Sequence, residues 1–153
     1  MGYKRIAAAA VAAAALFAGS PASAQSLEAA EKLRRLDIML MVTALRCRFG
    51  EDNFQADYDA FATHHLAELN DATRTLTAEL ARQHGASGAR RALDKLSTVI
   101  ANGYGMGHPD LGCGDLKRTT QELADQTDPA ALAAAADRLI GSAQENVFVL
   151  AQR

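Results

Sequence analysis

Apolar residues recur at steps of three and four along residues 33–49, which is the spacing of one face of an α-helix. The residues of this face are Leu33, Leu36, Leu40, Ala44 and Cys47. Further apolar residues occupy the other sides of the same helix: Ile38, Met39, Met41, Val42 and Leu45. A helix that is apolar nearly all round is buried on more than one side. We therefore expect a first helix, from a cap at Ser26 to a stop at Gly50, with the other helices packed around it.

A second apolar stripe begins directly after an acidic turn at residues 51–53. Its steps of four, three, four, four, three, four and four predict one continuous helix of about seven turns. The stripe consists of Phe54, Tyr58, Phe61, His65, Leu69, Ala72, Leu76 and Leu80. Two glycines within residues 83–88, Gly85 and Gly88, are expected to end this helix.

Three further helices follow from the same criteria. A third helix, capped by Ser87, carries Leu93, Leu96 and Ile100 on its inner face and weakens at Gly103. A short polar helix covers residues 115–125, and a last helix opens with a cap and a first-turn proline at residues 128–129. The inner face of the last helix is Leu132, Ala135, Ala136, Leu139, Ile140, Ala143, Val147 and Leu150. No useful β alternation occurs, so we predict an all-α, single-domain helical bundle of four main helices plus one short helix.

The first 24 residues have the organisation of a secretory signal peptide. Lys4 and Arg5 precede an apolar, alanine-rich run of roughly 13 residues, too short for a bilayer that needs about 20, and a small-residue Ala-x-Ala site ends at Ala24. An uncleaved anchor is the alternative interpretation. We expect residues 1–24 to be removed, residues 25–153 to form the domain, and the protein to be periplasmic or secreted.

Charge and composition limit the partners. The formal net charge is −2 for the whole chain, and the predicted leader contains two cations and no acid, so the remaining chain is more acidic. This balance gives no reason to expect nucleic acid or an anionic membrane as a partner. With no Trp and few aromatics, a stacking platform for sugars or bases is also disfavoured. We expect an unknown protein or small-molecule partner in the cell envelope, no stable membrane span after cleavage, and a homo-dimer through residues 38–42 as an alternative.

The chain has two cysteines, Cys47 and Cys113. In an exported protein they most simply form one disulfide. It would close a loop of about 66 residues and contribute on the order of 4 kcal/mol in the chain-entropy model. A reactive thiol pair is the alternative, but the chain has no C-x-x-C motif and no βαβ context.

A glycine-rich segment, residues 103–114, is the one unusual stretch of the sequence. Its glycines lack the full G-x-G-x-x-G spacing and follow a helix where a dinucleotide site needs a strand. A haem attachment motif is absent too, so no cofactor is expected. We interpret the segment as a loop that delivers Cys113 to Cys47. Because binding residues concentrate on loops held by rigid scaffolds, the candidate binding surface is Tyr104, His108 and Asp110, next to Tyr58 and His65.

These residues favour a non-catalytic role, as a binding or structural accessory of the cell envelope, with no catalytic residue assigned. The alternative is a small metal-binding protein or metal-dependent enzyme that uses His65, His108 and Asp110, if the loop folds over the second helix. Asp57 is a further candidate carboxylate for such a site.

Three stretches carry a resemblance to known proteins: residues 32–47, residues 54–58 and residues 101–113. In these the chain resembles small exported alphaproteobacterial proteins of unassigned function. The resemblance covers most of the mature chain and implies a shared fold and disulfide but no activity. Such proteins are sometimes labelled S-adenosylhomocysteine hydrolase. That enzyme class is a much larger, NAD-bearing α/β protein, whereas this sequence has neither that length nor a strand–glycine–helix unit.

Overall fold

A computed structural model describes residues 21–140 of the chain, with side chains from residue 26 onward. Within this range the chain forms five helices and no strand: α1 (Pro21–Arg46), α2 (Gln55–His64), α3 (Leu66–Gly103), α4 (Cys113–Ala124) and α5 (Pro129–Ile140). The prediction of a single-domain, all-α bundle with one disulfide is confirmed. Most of the predicted signal peptide (residues 1–20) and the last predicted positions of the final helix, Ala143, Val147 and Leu150, lie outside the described residues.

Helix α1 lies at the centre of the bundle and contacts each of the other four helices. Its side chains at Leu36, Met39 and Leu40 are fully buried, as the apolar pattern predicted. Met41 and Leu45 remain 37% and 46% exposed. The predicted burial on more than one side therefore leaves the side that Met41 and Leu45 share only partly covered.

The observed bounds of α1 differ from the predicted ones. The helix already includes Pro21, the first residue that the structure describes, so the predicted cap at Ser26 is wrong. It ends at Arg46, although the N–H of Cys47 still donates to the carbonyl of Thr43 at 2.9 Å.

The second predicted helix is divided in two at His65. This residue has φ −98° and ψ 20°, and it separates α2 from α3. Backbone hydrogen bonds continue across the junction, because His65 donates to Phe61 at 3.0 Å and accepts from Leu69 at 3.0 Å. The prediction of one continuous helix is therefore wrong at His65. The predicted stripe is nevertheless correct, since Tyr58 is half-buried and the others are buried: Phe54, Phe61, His65, Leu69, Ala72, Leu76 and Leu80.

Helix α3 turns back on itself at Gly85, which has φ 71° and ψ 164°. Leu93, beyond this residue, packs against the same small cluster as Ala72 and Leu76, before it. A straight helix would separate Leu76 from Leu93 by about 25 Å, so the two limbs of α3 lie side by side. The predicted break in residues 83–88 is confirmed. The second limb corresponds to the predicted third helix.

The last two helices follow the sequence closely. Helix α4 starts at Cys113, two residues before the predicted start, with the Asp115 carboxylate accepting the Gly112 N–H at 3.4 Å. Helix α5 begins at Pro129, and the Asp128 side chain accepts the N–H of Ala130 at 2.9 Å. The predicted cap of the last helix is thus confirmed. Its described inner face is buried at Leu132, Ala135, Ala136, Leu139 and Ile140.

Candidate functional site

The disulfide fixes the glycine-rich loop to the central helix. Cys47 and Cys113 are bonded, with their Cα atoms 5.8 Å apart, which confirms the predicted pairing. Cys47 is buried directly after α1, and Cys113 is the first residue of α4. The loop between α3 and α4 is therefore anchored at its far end.

His108 anchors the same loop to α5. Its Nε2 lies 2.9 Å from the carbonyl oxygen of Leu139, and its Nδ1 lies 3.1 Å and 3.2 Å from the backbone nitrogens of Asp110 and Leu111. Since both backbone N–H groups donate to Nδ1, the proton of the neutral ring is on Nε2 and is donated to Leu139. Both ring nitrogens are engaged within the protein.

The start of the glycine-rich loop is held in the core. Tyr104 is only 2% exposed, and its ring is stacked on that of His108 with the centroids 6.2 Å apart. Burial raises the pKa of the Tyr104 hydroxyl above its ordinary value. At Gly107, which has φ 109°, a Cβ would lie 3.2 Å from Nε of Arg46. Glycine permits both this backbone angle and this close approach.

Tyr58, on α2, belongs to a polar cluster with Asp37 and Arg34 of α1. Its hydroxyl donates to Oδ1 of Asp37 at 2.9 Å, and Arg34 lies 3.4 Å from the other oxygen of Asp37. Burial raises the pKa of Asp37 above its ordinary value, although the hydrogen bond from Tyr58 and the charge of Arg34 oppose this. Burial and the neighbouring Asp37 raise the pKa of Tyr58 as well. The cluster joins α1 to α2.

His65 is a core residue. It is 3% exposed, its Nε2 lies 2.8 Å from the carbonyl oxygen of Leu123 on α4, and its ring centroid lies 5.1 Å from that of Phe61. Its role in the structure is to tie the α2–α3 junction to α4.

The five residues of the predicted binding surface are therefore distributed over different environments. His65 and Tyr104 are buried, Tyr58 and His108 are half-buried, and Asp110 is exposed. The two buried side chains cannot present themselves to a partner. The alternative metal site is not assembled either, since no group of three or more His, Cys, Asp or Glu side chains in residues 26–140 could hold a metal ion, and this range includes His65, His108 and Asp110.

Sequence reasoning missed an open cleft of about 530 Å³ between α1, α3 and α5. Apolar residues from the three helices form much of its lining: Ala30, Leu33, Ala72, Leu132 and Ala136. Helical periodicity identified most of these residues as buried. It could not show that three helices leave a space between them.

Charged side chains line the same cleft. Lys32 contacts Glu28 at 2.6 Å and Asp137 at 2.8 Å, and these two contacts raise the pKa of Lys32 above its ordinary value, Asp137 contributing more. Glu68 and Asp71 on α3 add two carboxylates to the lining. Carboxylates therefore outnumber ammonium groups in the part of the cleft that the structure describes.

An exposed apolar stripe follows one side of α1 to the C-terminal end of the helix. It consists of Met41, Leu45 and Phe49, which are 37%, 46% and 84% exposed. The guanidinium of Arg48 lies 4.4 Å from the centre of the Phe49 ring. Of residues 38–42, the predicted self-association segment, only Met41 is exposed; Ile38, Met39 and Leu40 are buried and Val42 is half-buried.

The fold and its cross-link define a class, the disulfide-bonded all-α bundles of a single domain. Comparisons with protein-family models, with curated proteins and with solved structures find no match for this chain. None of the helices in the described range has the length and apolar character needed to cross a membrane. The disulfide is compatible with an oxidising compartment.

Proposed function

We propose that the protein is an exported, non-catalytic binding protein of the cell envelope that holds a small molecule in the cleft between α1, α3 and α5. The observation that carries the proposal is the cleft itself. Its volume of about 530 Å³ falls within the range of roughly 300–1,000 Å³ that is typical of small-molecule sites. Its apolar lining offers the non-directional contact that such sites use, and its charged groups offer orientation.

Export is supported by two independent features. The first 24 residues have the basic, apolar and small-residue regions of a signal peptide. The two cysteines are joined in a disulfide, which persists in oxidising compartments such as the periplasm. Mass spectrometry of the mature protein under non-reducing conditions is expected to find residue 25 at the N-terminus and the two cysteines linked. Free thiols or a retained leader would contradict export.

Binding is tested with N-phenyl-1-naphthylamine, a neutral apolar fluorophore. We expect saturable fluorescence enhancement with one site per chain. Ala133→Trp should abolish it, because Ala133 is an exposed residue of α5 that lines the cleft, and an indole there would fill the space. Ala134→Trp is the matched control, since the next residue of α5 is also exposed and does not line the cleft.

The proposal is overturned if the fluorophore does not saturate, or if the two tryptophan variants reduce binding equally while retaining the same helical content. Either result would mean that the cleft is a packing defect of the bundle with no ligand.

A further inference from the structure

The charges around the cleft are unbalanced. The carboxylates of its lining are Glu28, Glu68, Asp71 and Asp137, and the only cation of the described lining is Lys32. Lys32 is placed between Glu28 and Asp137, with its ammonium 2.6 Å and 2.8 Å from their oxygens. One ammonium thus faces two carboxylates, which leaves one negative charge in excess.

The two carboxylates on α3 differ from each other. Asp71 forms an ion pair with Arg74, which lies outside the cleft lining. Glu68 makes no ion pair among the described residues and is half-buried. A partly buried carboxylate beside apolar surface interacts more strongly with an added cation than one in bulk water does. Glu68 is therefore the carboxylate of the lining that would interact most favourably with a cationic ligand.

We propose that the cleft takes a small organic cation, a protonated amine or quaternary ammonium joined to an apolar body. This inference rests on the proposed binding function and names its ligand class. The ammonium would lie beside Glu68, and the apolar body would lie on Ala72, Leu132 and Ala136. An anionic ligand is excluded by charge, because the excess of carboxylates in the cleft lining would repel it. The apolar lining distinguishes this ligand from an inorganic cation, which apolar surface does not favour.

The volume of the cleft limits the size of the ligand. A volume of about 530 Å³ matches a drug-sized molecule. Polyamines are also less suitable, since several charges along one chain would leave no apolar part for the lining residues. The expected ligand therefore has one charged end and one apolar end.

The test uses three probes that share one apolar body and differ in charge: 1-naphthylmethylamine, 1-naphthalenemethanol and 1-naphthoate. Titration calorimetry near neutral pH is expected to rank the ammonium first, the alcohol about tenfold weaker, and the carboxylate weakest. Added salt should weaken binding of the ammonium and leave binding of the alcohol nearly unchanged, because only the former depends on a charge interaction.

Glu68→Gln tests the position of the charge. It removes the charge and keeps the shape, so it should weaken binding of the ammonium by about tenfold and leave the alcohol unchanged. Glu122→Gln is the control, because Glu122 is an exposed carboxylate on α4 outside the cleft lining and changes the net charge equally. It should leave both affinities unchanged.

The outcomes separate this inference from the proposed function. If the alcohol binds as tightly as the ammonium, or Glu68→Gln has no more effect than Glu122→Gln, the ligand class is overturned and the binding function stands. Preferential binding of the carboxylate also overturns the ligand class. If none of the three probes and no N-phenyl-1-naphthylamine binds, both proposals fail. A basic amphipathic peptide that binds in place of the ammonium would overturn the small-molecule ligand.

Discussion

Two adjacent histidines, His64 and His65, differ strongly in their surroundings. His65 is buried and hydrogen-bonded to the carbonyl of Leu123, whereas His64 is exposed on the last turn of α2. Successive side chains of a helix diverge by about 100°, so one of two neighbours faces the core and the other faces solvent. The apolar stripe predicted this difference, because His65 lies on it and His64 does not.

We expect His65→Ala to lower the free energy of unfolding by about 2–4 kcal/mol. The substitution leaves a cavity beside Phe61 and removes the hydrogen bond to the buried Leu123 carbonyl. Urea unfolding followed by circular dichroism measures the change. His64→Ala is the control and should change stability by less than about 0.5 kcal/mol. Equal effects of the two substitutions would contradict the assignment of His65 to the core.

Asp37 gives the protein a defined pH dependence. Burial raises the pKa of the Asp37 carboxyl group above the ordinary 3.8. The carboxyl group therefore binds its proton more tightly in the folded protein than in the unfolded chain. Its contribution to the free energy of unfolding therefore falls as pH rises from 3.8 through the raised value. In Asp37→Asn this contribution is absent, and the amide oxygen can still accept the Tyr58 hydroxyl. The stability of Asp37→Asn relative to wild type is expected to increase with pH across this interval and then level off.

Urea unfolding at a series of pH values from about 3.5 to about 7 tests this expectation. Tyr58→Phe provides a second check, because it removes a hydrogen bond that lowers the pKa of Asp37. In Tyr58→Phe, the pH range over which Asp37 affects stability should therefore extend to higher pH. A difference between Asp37→Asn and wild type that is the same at every pH would show that the carboxyl has the same pKa in both states.

At the scale of the elements, the reversal of α3 depends on one residue. Gly85 has φ 71° and ψ 164°, a combination that is essentially restricted to glycine. Gly85→Ala should lower the free energy of unfolding by about 1–3 kcal/mol. Gly50→Ala is the control, since that residue has no positive φ and no atom within 4 Å of an added Cβ. The effect of Gly50→Ala should stay within about 0.5 kcal/mol. Thermal unfolding of both variants measures the difference. Equal destabilisation by the two substitutions would contradict the role of Gly85.

The elements themselves were largely predictable, with limits that have physical causes. Glycine marked the break at Gly85 and a cap with proline marked the start of α5, because these residue types have strong backbone preferences. The break at His65 has no such marker. It occurs where the His65 ring is bonded to α4, and a contact with another element leaves no signal in the local periodicity.

At the scale of the whole molecule, the disulfide joins the end of the central helix to a segment 66 residues downstream. The double substitution Cys47→Ala with Cys113→Ala should lower the free energy of unfolding by about 4 kcal/mol, because it removes the constraint on the unfolded chain. Urea unfolding with and without reductant measures this. Reductant should lower the midpoint of the wild type and leave that of the double variant unchanged. An effect of reductant on both proteins would rule out the disulfide as its target.

The exposed apolar surface also predicts the oligomeric state. Among residues 26–140 the large exposed apolar side chains are Met41, Leu45 and Phe49 in one stripe, and Leu66 and Met106 elsewhere. These are far fewer than the roughly 20–30 residues a side of a stable interface. We expect light scattering to give the mass of one chain. Leu45→Gln should leave that mass unchanged. A dimer that this substitution converts to a monomer would show instead that the stripe is an interface.

The sequence by itself determined the all-α class, the central position of α1, the buried stripes and the pairing of its only two cysteines. These features follow from helical periodicity and from cysteine number, which are local or compositional properties. Only the tertiary structure decided that Tyr104 is a core residue, that the His65 ring is bonded to α4 and His108 to α5, and that a charged cleft opens between α1, α3 and α5. The reason is that each of these depends on which helices come together and how closely they approach, and periodicity along one helix does not specify its neighbours.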